Sequence, residues 1–599
     1  MDTKSNRIRL SIRIIKNLIE VNIIHLIIPI YYLSDMKKPN LIYLFFIVFF
    51  LGSCSVNQQT ASNQTEYENG AVVTAHPIAS EVGVEILKKG GNAVDAAIAV
   101  KFALAVVYPN AGNLGGGGFM VFRGRDGSVS SLDFREKAPQ KASRDMYLDK
   151  DGNPITDLSL YGQLASGVPG SVAGMDAAYK KYGTIAWKDL IQPAIDLATK
   201  GFPITKQQAG EFNRYKARFQ KFNPNGAAII RDTEWKEGDL FVQSELAETL
   251  KRIAEQGRDG FYKGQTAEYI VAEMKRGNGI ISLKDLEDYQ ASWRDPIVGT
   301  YKNYKVISMP PPSSGGVALM ALLQSVEKYP LAKWGFQHDS TVRAMVEAER
   351  RVYADRATHL GDPDFYRVPI ANLTDAKFNQ DRMAKVSLDK ATPSDQVKAA
   401  KFPGYESEET THYSIVDKNG NAVSLTTTIN GSYGSCVWVD GAGFLLNNEM
   451  DDFSVKPGSP NMYGLLGGKA NSIEPGKRML SAMTPTIIEE DGKLKMVVGT
   501  PGGSTIITSV FQTILNVLEF DMTAQESVSA ARFHHQWQPD VIDVEEKAIN
   551  DKTRQSLEED GYKINKRGAI GRVENIVILK NGKLQTGADH RGDDQARGY

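Results

Sequence analysis

The chain has 599 residues, 42% of them hydrophobic and 24% charged, an ordinary globular balance with length for one large core or two coupled ones. A formal net charge of -1 excludes the broad basic field that a nucleic-acid partner would call for. The two cysteines, Cys54 and Cys436, are too few for a disulfide framework, and the eight histidines show none of the usual metal-ligand spacings.

In chain order, Met36-Lys37-Lys38 opens a short basic region, followed by the apolar run 41–51 (LIYLFFIVFFL). That run has the length of a secretory signal. It ends in Leu51-Gly52-Ser53-Cys54, small residues before a cysteine, which resembles a bacterial lipoprotein processing site with Cys54 as the lipidated residue. Residues 1–53 therefore read as leader and lipoprotein signal, with Met36 as the expected start. A single transmembrane anchor is the alternative. Residues 54–69 are polar and without periodicity, and read as a flexible tether.

From residue 70 the texture becomes that of a folded protein. A strand is expected at 71–75, a helix at 80–89 and a buried Ala-rich helix at 93–107. Between that helix and the next strand stand four consecutive glycines, Gly115 to Gly118, which permit close backbone approach. A hairpin is expected at 119–123 and 129–134, turning at Asp126-Gly127. Residues 140–400 alternate helical stretches with turns, clearest at 187–200, 243–256, 265–275 and 317–326, with 283–289 resembling a small helical connection. After residue 410 the pattern changes to strand: 411–417 and 421–429 flank Asn419-Gly420, a strong hairpin signal. Further strands are expected at 486–489, 495–499 and 574–579, and an apolar helix at 504–518.

Thr410 heads that hairpin in the run Glu409-Thr410-Thr411-His412-Tyr413. Mid-chain, its hydroxyl is a poor nucleophile. As a chain terminus it would lie beside its own α-amino group, whose ordinary pKa of about 7.7–8 lets it accept the hydroxyl proton. Spacing alone leaves the plain reading, a strand start, open. Downstream, Thr428 and Asn430 close the hairpin's return strand. The run 445–453 (LLNNEMDDF) concentrates amides and carboxylates. Ser481 lies in KRMLSAMTP, and Gly502-Gly503-Ser504 opens the apolar helix, where backbone N–H groups can receive an oxyanion.

The segments TTHYSIVDKNGNAV, LLNNEMDDF, TPGGS, GNLGGGGFM and DFRE resemble γ-glutamyltransferases of the N-terminal-nucleophile hydrolase class, over about residues 70–599. The resemblance implies an α+β fold, a four-layer αββα sandwich formed by two subunits from one precursor. The cut would fall between Glu409 and Thr410, giving a large subunit (70–409, with the tether before it) and a small catalytic subunit (410–599). It implies no cofactor and no metal. The substrates would be glutathione and other γ-glutamyl compounds, with water, amino acids or dipeptides as acceptors. The expected location is the cell envelope, on the periplasmic or extracellular side.

Carried over residue by residue, Thr410 is the nucleophile, Thr428 orients it, and Gly502 and Gly503 form the oxyanion hole. Arg135 and Ser481 would hold the donor's α-carboxylate, and Asn430, Glu449 and Asp452 its α-amino group. Tyr463 would stand at the tip of a lid (457–468), and Arg591 would support the site from behind. Three departures stand out, one of them Glu409, which stands before the cut where the family's residue is often uncharged. Ala482 replaces the second of two adjacent serines, and Glu449 stands where some bacterial members have Gln. A related amide acylase of the β-lactam type would share the threonine chemistry without needing the amino-acid clamp. A catalytically dead envelope binding protein is a third reading, supported only by Ala482.

Overall fold

The computed structural model describes residues 66–399, 411–456, 462 and 469–599. Two seven-stranded antiparallel sheets organise them. The first runs Glu66–Tyr67, Leu584–Ala588, Glu574–Ile578, Lys493–Gly499, Thr486–Glu490, Tyr304–Ser308, Ile297–Tyr301. The second runs Gln595–Gly598, Ala71–Thr74, Thr411–Val416, Ala422–Thr428, Gly117–Arg123, Val129–Asp133, Ser292–Arg294. The expected hairpin is present, with Thr411 opposite Thr427 and Val416 opposite Ala422.

Strand alternation sorts the side chains into layers. Val72, Met120 and Phe122 join a core with the Ala93–Val107 and Trp187–Lys200 helices. Their neighbours Ala71, Val73, Phe119 and Val121 turn the other way, into a core shared with the first sheet and the Gly315–Val326 and Thr505–Leu518 helices. Period-two alternation on a strand requires this when both faces are covered. The result is helix, sheet, sheet, helix, the αββα sandwich expected. Hydroxyls stitch the two sheets together: Ser414 Oγ donates to Glu574 O (3.1 Å) and Ser424 Oγ to Val498 O (3.0 Å).

The Ala93–Val107 helix is buried along its whole length and starts with a capping box between Asn92 and Asp95. The helix expected at 80–89 begins earlier, as Pro77–Lys88. Proline at the first helical position lacks an N–H that would have no partner there, and His76 Nδ1 caps Ile78 N at 3.3 Å. The four glycines are a site of contact between backbones. A Cβ on Gly115 would lie 2.1 Å from Leu445 O, and one on Gly116 only 1.9 Å from Thr428 O.

Other elements escape pattern reading. The 21-residue Asp339–His359 helix buries Glu347, Glu349, Arg350, Arg351, Asp355 and Arg356, so charge obscures its inward face. The Ile297–Tyr301 and Tyr304–Ser308 strands lie within a stretch read as helical. Strands from both sides of position 410 pair with one another within both sheets. No helix among the described residues is long and apolar enough to cross a membrane.

Candidate active site

The site is built where the Val129–Asp133 strand ends. Gly118 and Phe134 exchange backbone hydrogen bonds (3.2 and 3.0 Å), which carries the ladder one residue further and turns Arg135 inward. Arg135 N donates to Asp133 Oδ1 (2.9 Å), and Tyr289 OH donates to Arg135 O (2.6 Å). The guanidinium is 1% exposed and meets three carboxylates: Glu449 at 2.5 Å, Asp452, and Glu136 at 3.5 Å. It also donates to Met479 O and Leu480 O, both at 3.3 Å.

Fully ionised, three carboxylates around one guanidinium would carry an excess of negative charge in a dry place, and protons are retained there. Burial pushes the Glu449 carboxyl up to about 8, against the pull of Arg135 and with a push from Glu136. Burial likewise lifts Glu136 to about 7. Burial alone would lower the Arg135 pKa, but Glu449, Asp452 and Glu136 outweigh it and the group stays charged.

The amides of 445–453 act as scaffolding. Asn447 Oδ1 accepts from Gly167 N (2.9 Å) and Glu449 N (3.0 Å), while its Nδ2 donates to Gly115 O and Gly167 O, both at 2.8 Å. Asn448 Oδ1 accepts from Gly431 N (2.9 Å). Both fix the Glu449–Asp452 turn that presents the carboxylates.

Asn430 joins this cluster to the rest of the site. Its backbone is left-handed (φ 65°), held by donation from its N to Thr428 Oγ1 (2.7 Å), and its Nδ2 donates to Asn448 O (3.0 Å). Its Oδ1 is buried and accepts no hydrogen bond from the described residues. Ser481 follows directly on the backbone that passes the guanidinium. Its carbonyl accepts from Ser314 N and Oγ, both at 2.7 Å, and its own N donates to Pro312 O (2.9 Å).

Gly502 and Gly503 adopt φ of 135° and 65°, which a side chain rarely tolerates. A Cβ on Gly502 would also lie 2.9 Å from Gly571 Cα. The Thr505–Leu518 helix that follows has no side-chain N-cap, and its first two N–H groups, Thr505 N and Ile506 N, donate to Gly502 O (3.2 Å) and Gly503 O (3.0 Å) instead. Gly502 and Asn430 line one cavity of about 250 Å³, together with Arg591. Arg591 pairs with Glu545 (2.5 Å) and Asp589 (3.0 Å).

His412 lies beside the hairpin's start. Its ring bonds Thr426 Oγ1 (2.9 Å) and Ser414 Oγ (3.0 Å), and burial lowers its pKa to about 3, so it is neutral. The structure thus gathers Arg135, Asn430, Glu449, Asp452 and Ser481 into one linked constellation, with Thr428 bonded to Asn430. Gly502 and Arg591 line the adjoining cavity, with Gly503 next to Gly502 on the chain. Cys54, Glu409, Thr410 and Tyr463 lie outside the described residues. Sequence reasoning gave no role to Glu136, Tyr289 or Asn471. Asn471 Nδ2 donates to Asp452 O (2.7 Å) and its Oδ1 accepts from Leu480 N (3.0 Å), so it ties the two halves of the clamp. Only Glu136 had a signal, as the last residue of DFRE.

The model of the Gamma-glutamyltranspeptidase family matches residues 79–599. The chain belongs to this family. The glutathione hydrolase proenzyme of Escherichia coli (strain K12) is 46% identical over 539 residues, 89% of this chain and 92% of that protein. The crystal structure of the Helicobacter pylori gamma-glutamyltranspeptidase superposes with a TM-score of 0.54 at 46% identity, covering 54% of this chain and 95% of that one. A cephalosporin acylase from Bacillus halodurans superposes with a TM-score of 0.79 at 25% identity, covering 90% of this chain and 97% of that one. Membership places the constellation in an enzyme family of N-terminal-nucleophile hydrolases.

Proposed function

We propose that this chain is a γ-glutamyltransferase and glutathione hydrolase that matures by cleaving the Glu409–Thr410 bond, giving a 54–409 and a 410–599 chain that stay together. The observation that carries the reading is the charge imbalance at Arg135. The donor's γ-glutamyl end is a zwitterion. Its α-carboxylate would take the Arg135 guanidinium, with the Ser481 hydroxyl beside it, and its ammonium would take the freed Glu449 and Asp452 with Asn430 Oδ1. Each buried charge then exchanges an internal partner for a ligand partner, and the ammonium neutralises the excess negative charge.

The hairpin register, continued by one residue beyond Thr411 and Thr427, would set Thr410 opposite Thr428. The Thr410 hydroxyl would attack the donor's γ-carbonyl while the terminal amine takes its proton. His412 is neutral and already hydrogen-bonded, so it offers no competing base. Backbone N–H groups at Gly502 and Gly503 would receive the oxyanion. Such donors are commonly worth about 10²–10³ in rate. The amine would then protonate the leaving amide nitrogen, and water or an acceptor amine would release the γ-glutamyl group. Arg591, braced by Glu545 and Asp589, would hold the cavity wall, and Tyr463 would close over the donor.

The related acylase reading shares the fold and the nucleophile but gives the buried clamp no ligand. The envelope location, with Cys54 as the lipid-bearing first residue, follows from the leader pattern and is part of the proposal. Incubating the purified full chain with γ-glutamyl-p-nitroanilide tests the activity, and its intact mass tests cutting and lipidation together. Release of p-nitroaniline from a protein with a chain starting at Thr410 is expected. An uncut, inactive protein would sink the proposal.

A further inference from the structure

The cavity shared by Asn430 and Gly502 has a wall that donor binding leaves unused. Glu211, on the Lys206–Phe222 helix, lines it. Its Oε2 accepts from Asn110 Nδ2 (2.8 Å) and Tyr433 OH (3.0 Å), and its Oε1 from Gln207 Nε2 (3.2 Å). All three donors are neutral, and among the described residues Glu211 has no ion-pair partner.

The carboxylate is also held in place. Tyr433 N donates to Asn110 O (2.9 Å), Tyr433 adopts φ 63°, and its ring packs against Phe212, Tyr215 and Phe219. The arginines on the same cavity are already satisfied: Arg572 by Asp594 and Tyr108 OH, Arg591 by Glu545 and Asp589. A preset carboxylate without a counterion, in a cavity with its cations spent, is complementary to a small cation. About 250 Å³ has room for an amino acid or a dipeptide.

We propose that Glu211 receives the protonated amine of the acceptor, a site separate from the donor's Asn430–Glu449–Asp452 cluster. The inference rests on the γ-glutamyl transfer reading above. The acceptor ammonium gives one proton to Glu211 as it becomes nucleophilic. Its nitrogen attacks the ester carbonyl, the bond to Thr410 Oγ breaks, an amide C–N bond forms, and the nitrogen's second proton returns to Thr410 Oγ. Glu211 then loses its proton to solvent.

The test uses the full matured enzyme with γ-glutamyl-p-nitroanilide as donor, counting free glutamate against γ-glutamyl-acceptor product. With sub-saturating glycylglycine, Glu211→Gln lowers the transfer-to-hydrolysis ratio about tenfold, the scale of one charged hydrogen bond. Because it is a ratio, it is insensitive to the amount of active enzyme. With hydroxylamine, which is uncharged at neutral pH, the ratio stays within twofold. Glu211→Asp, which keeps the charge, recovers at least part of the glycylglycine ratio. An unchanged glycylglycine ratio overturns the proposal. So does an equal fall with both acceptors, which marks a structural role only, or a wild type that never transfers to glycylglycine. A wild type that releases no p-nitroaniline instead overturns the γ-glutamyl reading itself.

Discussion

Replacing Glu449 by Gln removes one acid and nearly preserves its shape. In the free protein the Glu449 carboxyl titrates at about 8, because burial outweighs the attraction of Arg135. Donor capture through its ammonium requires the ionised form, and nucleophilic attack requires a neutral Thr410 amine with an ordinary pKa of about 7.7–8. Two protons must therefore leave, and log kcat/KM, which reports the free enzyme, should climb with a slope near 2 below pH 7. In Glu449→Gln one ionisation remains and the slope falls to about 1. Stability gives an independent reading. The folded carboxyl holds its proton from its ordinary value of 4.5 up to about 8, so the native state binds more protons than the unfolded one across that window. Stability then falls as pH rises, by at most about 1.4 kcal/mol per unit for this group. Glu449→Gln should flatten that decline, and the Glu136 contribution up to about 7 remains in both proteins. Rate profiles from pH 5.5 to 8.5 and melting curves over the same range measure both. Equal slopes in the two proteins, with equal pH dependence of Tm, would refute the reasoning.

Thr410→Ala should run as one chain on a denaturing gel and release no p-nitroaniline; residual turnover above about 1% of wild type counts against the nucleophile. Arg135→Leu strands Glu449 and Asp452 without their cation, so KM for γ-glutamyl donors should rise at least about a hundredfold. Its stability should fall by about 3–5 kcal/mol, with the Tm deficit smaller at pH 5.5 than at pH 8 because the carboxyls protonate. Gly502→Ala should lower kcat about 10²–10³-fold with little change in KM, since φ 135° and the 2.9 Å approach to Gly571 force the oxyanion segment to move. Gly116→Ala places a methyl 1.9 Å from Thr428 O and should yield little soluble protein on expression.

Much of this architecture could be read from local chemistry. The 411–429 hairpin announced itself through Asn419-Gly420 and β-rich flanks, and the Ala93–Val107 helix through its unbroken apolar run. Arg135 and Asp452 could be named because their motifs are contiguous. Their mutual ion pair could not, because 317 residues separate them. Asn471 was invisible for the same reason: a lone amide in a loop carries no sign that it bridges Asp452 and Leu480. The Asp339–His359 helix was missed because its inward face carries ions satisfied only by distant segments, such as Arg350 with Asp540. Glu211 sits on an amphipathic helix, where a carboxylate reads as ordinary surface until the fold sets Tyr433 and Asn110 against it.

The Thr411–Val416 strand is clasped between Ala71–Thr74 on one edge and Ala422–Thr428 on the other, and Ala71–Thr74 in turn pairs with the final Gln595–Gly598 strand. Severing the chain ahead of Thr411 would therefore yield two polypeptides woven through each other rather than docked. Neither could leave without tearing rows of ladder hydrogen bonds out of both sheets. Dilution should never separate them, and halves purified apart in denaturant should regain a native melt only when renatured in one vessel.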